Sequence, residues 1–249
     1  MSSLTLVAGT ELRLMTREWA AMVFAFAFPV LLMLILAGVF GSEASAEYGG
    51  VTPTDYYVAD YVAVPLGALS LIGLPVMIAS YRERGILRRF EAAGVPSRTV
   101  FGAQAVVTSL LVILGAVMVL LAAAPTYGVP TVEDPLRAGA GFLLGTATMI
   151  TLGVALGLLT RTARSAQALG LLAFFPMWLL GAGGPPRPVM PDLMADLSPI
   201  LPLGHVAAAI REPWLDTGGT ADNLLALVTW LVIALVAVAL LVRSVRTNS

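Results

Sequence analysis

The side chains able to carry acid–base, nucleophilic or metal chemistry are few and scattered in this 249-residue chain. There is one histidine, His205, so a multi-histidine metal site is excluded and any Ser/His/Asp triad would have to be built around that one ring. There is no cysteine, hence neither a disulfide framework nor a thiolate metal site. Lysine is also absent, and all 14 basic residues are arginine. The phosphate-cradling loop G-x-x-x-x-G-K-[ST] needs its lysine, and so does a Schiff-base enzyme, so the chain carries neither. Only the region of His205, Arg211 and Asp216 offers the convergent polar groups that a membrane enzyme acting on lipids would need. The simpler reading of His205 is structural polarity in a loop.

What must hold these residues is mostly apolar. The chain is 58% hydrophobic and 12% charged, with a mean hydropathy of +0.90, whereas soluble domains run near about 25% charged. A soluble fold of this size could not bury so much apolar surface, so the length is counted in membrane spans. Six stretches free of charge predict spans at about 20–41, 59–81, 99–124, 138–160, 165–183 and 223–242, each long enough to cross a core of about 30 Å at about 1.5 Å per residue. The first is much longer than the core of a cleaved signal peptide and reads as a retained span. The fold class expected is an all-α integral membrane protein with six transmembrane helices, forming one transmembrane domain over 1–249.

Orientation follows from arginine placement. With the N-terminus in the cytoplasm, 11 of the 14 arginines lie on the cytoplasmic side, and only Arg137, Arg187 and Arg211 lie outside. An even number of spans then puts both termini in the cytoplasm. Three segments are partly apolar without being spans. Leu4, Val7, Ala8, Leu12, Met15 and Trp19 share one helical face, which predicts an N-terminal amphipathic helix lying in the interface. After the second span, Ile86, Leu87, Phe90 and Ala93 oppose Arg84, Arg88 and Glu91, which predicts a short cytoplasmic helix ended by Gly94 and Pro96. Before the last span, the uncharged run 197–210 is too short and too proline-rich to cross, which predicts a re-entrant or interfacial helix pair packed on the bundle.

No ionisable residue falls in the middle of any predicted span; Asp60 and Arg82 flank the second. Ion-coupled transporters place acidic or histidine relays inside the membrane. With neither such a relay nor a phosphate loop, a transporter of this kind must draw its energy from a partner. Gln104, Thr108, Ser109, Thr146, Thr148 and Thr151 read as hydrogen-bonding between helices, Gly141, Gly145, Gly153 and Gly157 as close packing, and Pro29, Pro65, Pro75 and Pro176 as kinks.

Two segments carry a resemblance. The first is Arg82-Glu83-Arg84-Gly85-Ile86-Leu87-Arg88-Arg89-Phe90-Glu91 with Gly94-Val95-Pro96-Ser97-Arg98. It is similar to the E-R-x-G-T-L-x-R-L signature of type-two permeases of ATP-binding-cassette exporters, in particular the multidrug and antibiotic-resistance branch, with Ile86 where threonine is usual. The second, Gly183-Gly184-Pro185-Pro186 through Val189-Met190-Pro191, Leu197-Ser198-Pro199 and Pro202-Leu203-Gly204-His205, resembles that family's elements before its last span. With the six-span layout, the resemblance covers nearly the whole chain.

The resemblance implies a division of labour. Two permease copies, identical or different, form the path in a bacterial cytoplasmic membrane, and separate ATPase subunits carrying ATP and magnesium dock beneath them. This chain then has no cofactor, no catalytic residue and no nucleic-acid partner of its own. The cytoplasmic helix becomes the coupling helix, with Arg82, Glu83, Arg84, Arg88, Arg89 and Glu91 as the docking residues. A short charged helix suits a charged cleft on a soluble partner, although the same arginines could also serve only topology and anionic lipid headgroups. The loop 181–222 becomes the external re-entrant helices that close the exit. An apolar path, to which Met22, Phe24, Phe26, Phe28 and Met33 are candidates, favours drugs, lipids or lipopeptides, and the substrate contacts are unknown. The alternatives are a non-catalytic membrane anchor or immunity protein and the lipid-modifying enzyme around His205.

Overall fold

The computed structural model describes residues 22–247, so the amphipathic N-terminal helix expected at 4–19 lies outside the described residues. Within them every regular element is helical. We label the helices α1 (Val23–Val39), α2 (53–83), α3 (Ile86–Ala92), α4 (Ser97–Ala123), α5 (Pro135–Leu159), α6 (Ala163–Ala182), α7 (Asp192–Ile200), α8 (Pro202–Leu215) and α9 (Thr220–Thr247). Helices α2, α4, α5, α6 and α9 are long and apolar enough to cross a membrane. Helix α1, with 17 described residues, stands at the lower end of the spanning range. Between α6 and α9 neither α7 nor α8 is long enough to cross alone, and the two meet at an 84° bend, the shape expected of the re-entrant pair that the proline-rich run predicts. The second span begins earlier than its charge-free stretch, because Thr52 Oγ1 accepts the Asp55 N–H and Pro53 occupies the first turn.

Helix α2 is the axis of the bundle. Every residue from 56 to 79 is buried, whereas the most apolar stretch of α9 is only 11% buried and that of α6 22%. A helix apolar all round must be covered all round, and here α1, α4, α5, α6 and α8 supply the cover. The cover comes close because it is lined with glycine. Along α5, Gly141 meets the backbone of Ala209 and Gly145 meets Val206, both on α8; further down, Gly153 meets the carbonyl of Ser70 and Gly157 meets Ile78, both on α2. Gly170 on α6 meets the carbonyl of Leu71. At each of these positions a Cβ would overlap its neighbour, so the small residues at helical spacing are the seam along which α5 holds α8 and α2 together.

The prolines of α1 and α2 show why these helices are irregular. A proline inside a helix clashes with the carbonyl four residues back. For Pro29 that residue is Ala25, inside the π turn Val23–Ala27; for Pro75 it is Leu71, inside the π turn Leu69–Gly73; for Pro65 it is Tyr61, inside the 3-10 turn Tyr61–Ala63. The chain rewinds locally at each clash and continues. The π turn of α2 also carries the two carbonyls, of Ser70 and Leu71, against which Gly153 and Gly170 pack.

The seam gives a test. Gly153→Ala forces a methyl group onto the Ser70 carbonyl, and overpacking of this kind costs about 1–3 kcal/mol. Gly139→Ala on the same helix meets nothing within 4 Å and trades glycine for a better helix former. Thermal unfolding in detergent is expected to show a lowered midpoint for the first variant and an unchanged or raised one for the second.

Candidate functional site

The expected docking residues sit at the arginine-rich end of the bundle, on and beside α3. Gly85, with φ +65°, turns the chain sharply out of α2, a conformation that suits glycine and few other residues. At the other end of α3, Gly94 is again left-handed (φ +81°), and the Val95 N–H bonds the Phe90 carbonyl at 2.9 Å, a Schellman closure. Between these stops, Ile86, Leu87 and Phe90 are half-buried and pack on the main core, while Arg84, Arg88, Arg89 and Glu91 are exposed. The amphipathic division predicted for this segment is the one the structure has for Ile86, Leu87 and Phe90, whereas Ala93, expected on the same face, is exposed where the helix ends.

The six candidates divide by what they touch. Arg82 turns back into the bundle, where its Nη1 donates to the carbonyls of Leu158, Gly157 (3.3 Å) and Thr160 (3.0 Å), the orphan carbonyls at the end of α5. Glu83 accepts the Ala163 N–H at 2.9 Å and so caps the start of α6. These two residues fix the short link between α5 and α6 against the root of α3. Glu91 accepts a hydrogen bond from the Ser97 hydroxyl at the start of α4. Arg84, Arg88 and Arg89 remain exposed on the outer face of the helix and form no ion pair with the described residues. The sequence made all six look alike. The signal that separates Arg82 is its register: it lies four residues after Ile78, one of the buried residues of α2, and so shares that residue's inward face.

At the far end of the bundle, α8 packs against the opening turns of α2 and along α5. Three groups of side-chain contacts hold it, beside backbone bonds from the Glu133 and Asp134 N–H groups to the Trp214 and Pro213 carbonyls. Asp60 of α2, fully buried, forms an ion pair with Arg211 of α8, whose guanidinium also lies 4.3 Å from the centroid of the Tyr56 ring. His205 has Nδ1 2.8 Å from Asn223 Oδ1 and Nε2 2.8 Å from the Pro199 carbonyl, and Asn223 Nδ2 donates to Glu212 at 2.8 Å, so this group joins α8 to α9. Trp214 Nε1 donates to the Pro130 carbonyl at 2.9 Å. A ring of aromatics, Phe40, Tyr48, Tyr56 and Tyr57, closes the same end, with Tyr48 5.2 Å from Tyr56 between centroids.

Sequence reading treated Asp60 as a residue flanking the span and Arg211 as loop structure. The earlier start of α2 puts Asp60 inside the helix, and no spacing signal links two residues 151 positions apart. The polar groups considered for lipid chemistry do not converge on an open space: both ring nitrogens of His205 are engaged, Arg211 is held by Asp60, and Asp216 is the left-handed, exposed end of α8. Of the residues suggested to line a path, Met33 is wholly buried, and Phe24 and Phe28 pack edge-on against Phe174, Phe175 and Trp178 of α6. On the membrane-facing side, an open groove of about 410 Å³ runs between α2, α5, α6 and α9, lined by Leu71, Leu152, Leu156, Met177 and Leu240 and by no polar side chain.

Compared with known families, residues 3–213 match the sequence model of the ABC-2 type transporter family. No curated protein matches the chain.

The division among the arginines is testable on the isolated protein. Arg82→Gln strands the Leu158 and Thr160 carbonyls at the end of α5 and weakens the hold on Gly157, whose carbonyl keeps the Thr160 hydroxyl, and an orphaned buried polar group costs about 1–3 kcal/mol. Arg88→Gln removes an exposed charge and is expected to change stability by less than about 0.5 kcal/mol. Only the first is expected to lower the unfolding midpoint in detergent; equal behaviour of the two would contradict the assignment.

Proposed function

The chain belongs to the ABC-2 type transporter family, and from that premise we propose that it is the membrane-spanning subunit of an ATP-driven exporter whose hydrolytic subunit is a separate ABC ATPase docking on α3. It is a multi-pass membrane protein, and the family as a whole works as transport subunits with ABC ATPases. The observation that carries the proposal is that the most exposed arginine cluster follows directly on the most buried helix. A soluble partner pressing on Arg84, Arg88 and Arg89 has a charged face to read. The load passes through the Gly85 turn into α2, which is gripped along its length, and from there to the far end of the bundle. Arg82 and Glu83 tie the α5–α6 link to the same point, so in this reading those two helices move with α2.

In the same reading α3 faces the cytoplasm of a bacterial cell, both termini lie on that side, and a second permease copy, identical or different, completes the path. ATP and magnesium belong to the ATPase subunits. The cargo proposed is an amphiphile: a drug, a lipid or a natural product of the kind handled by multidrug and antibiotic-resistance exporters. Two features favour an apolar cargo. The groove between α5, α6 and α9 has only apolar side chains, and the one charge buried deep in α2, Asp60, already has its counter-ion.

Purification of the detergent-solubilised chain from its native membrane is expected to bring down an ATPase in stoichiometric amount. The double variant Arg88→Glu/Arg89→Glu is expected to lose it while keeping the unfolding midpoint of the parent. Recovery of no ATPase with a stable parent protein, or full retention by the variant, would contradict docking on α3.

A further inference from the structure

The ion pair between Asp60 and Arg211 is larger than the needs of packing. Helix α8 is already held by apolar and glycine contacts, with Leu203 on Gly67, Val206 on Gly145 and Ala209 on Gly141. A buried pair of charges adds little net stability over apolar residues of the same volume, because desolvation offsets the attraction. Ionisable groups at membrane depth are costly enough to be a sign of function. The pair is also incomplete. Asp60 Oδ2 is buried and has no hydrogen-bond partner, so the carboxylate is bound by one oxygen only. Arg211 retains 15% side-chain exposure.

The placement of the pair gives it leverage. Asp60, Val64 and Gly67 recur at helical spacing and lie on one face of α2, and Gly67 is covered by Leu203 of α8. The pair, with the Tyr56 ring one turn further out against the same guanidinium, therefore ties the outer end of α8 to that face. A separate tie, through His205, Asn223 and Glu212, holds α8 to α9. Before α8 the chain turns through the 84° corner at 200–202, which carries Pro202. Release of Arg211 from Asp60 removes the charged tie of α8 to α2 and leaves α8 held to α9 and, through Trp214 and the N–H groups of Glu133 and Asp134, to the connection between α4 and α5.

We propose that Asp60 and Arg211 form a latch that holds α8 closed over the far end of α2, and that its opening uncovers the outer half of the transport path. The two are positioning residues; their place in a transport cycle rests on the permease reading, but the latch itself is a property of this chain alone. Tyr56, whose ring faces the guanidinium, keeps Arg211 on the closed side when the pair forms.

The test uses the purified chain without any ATPase, so it can fail or succeed independently of the docking result. The sequence has no cysteine, which gives a clean background for single thiols. Val64→Cys sits one turn below Asp60 on the latched face, and Ala79→Cys sits at the arginine-rich end; both positions are fully buried. The rate of reaction with a small polar maleimide is measured for each, in the parent and in the Asp60→Asn background. Because an unpaired arginine could loosen the whole fold, the double variant Asp60→Asn/Arg211→Met, which buries no net charge at the pair, is measured alongside. The latch predicts that Val64→Cys reacts about tenfold faster or more when the pair is broken, in the single and the double variant, while Ala79→Cys keeps its parent rate. No acceleration at Val64→Cys, or equal acceleration at both thiols, would overturn the proposal, the first because nothing opens and the second because the pair merely supports the fold.

Discussion

A helix buried on every side cannot be packed by ordinary side-chain layers alone in a bundle this thin, because its neighbours must approach almost to backbone distance. That constraint on α2 organises the rest of the molecule. It accounts for the glycine seam on α5, for Gly170 on α6, and for the contact of both with carbonyls of a single π turn. Without water or lipid on any side, the partners that the polar groups of α2 have lie within the protein, and Ser70 Oγ and Asp60 Oδ2 are left without one. Asp60 finds Arg211, Arg82 finds the carbonyls closing α5, and the Tyr61 hydroxyl donates to the Gly183 carbonyl at 3.1 Å. The outer helices have no such demand on them, and α6 and α9 give most of their surface to the membrane.

The same constraint joins the two ends of the bundle. At the arginine-rich end α2 continues through one glycine turn into α3, which presents its charges to solvent. At the far end it is tied by charge to α8 and by stacked aromatic rings to the connection from α1. The irregular turns at Tyr61–Ala63 and Leu69–Gly73 do not divide the helix, since they absorb the clashes of Pro65 and Pro75 where neighbours grip most closely. A displacement of α3 therefore has a direct mechanical route to the far end. In the proposed reading of a subunit driven by a partner ATPase, this route lies in one element.

Much of this was legible in the sequence, and the rest was hidden for identifiable reasons. Charge-free runs locate the spans because ionisable groups are costly in hydrocarbon, and the proline-broken run 197–210 announces the re-entrant pair. The amphipathic pattern of Ile86, Leu87 and Phe90 against Arg84, Arg88 and Glu91 is visible because the helix is short and sharply bounded by Gly85 and Gly94. The same rule conceals the true start of α2, since Asp55 and Asp60 look like flanking charges until Arg211 is known to neutralise the second. The different work of Arg82 and Arg88 is a matter of helical register continued across a turn, and composition carries no trace of it. The prolines marked where helices would be irregular; that the irregularity at Pro29 and Pro75 takes the form of a π turn depends on the packing around it.

The central claim is that α2 transmits motion as a rigid element between α3 and the far end. Pulsed electron paramagnetic resonance on the cysteine-free chain tests it directly, with nitroxides at Glu47→Cys and Ala92→Cys, both exposed. The distance is measured for the protein alone and bound to its ATPase with nucleotide. A rigid α2 predicts one narrow distance that is the same in both states. A second population, or a mean that shifts on binding, would contradict the account, because motion of α3 would then be absorbed within α2 instead of reaching the far end.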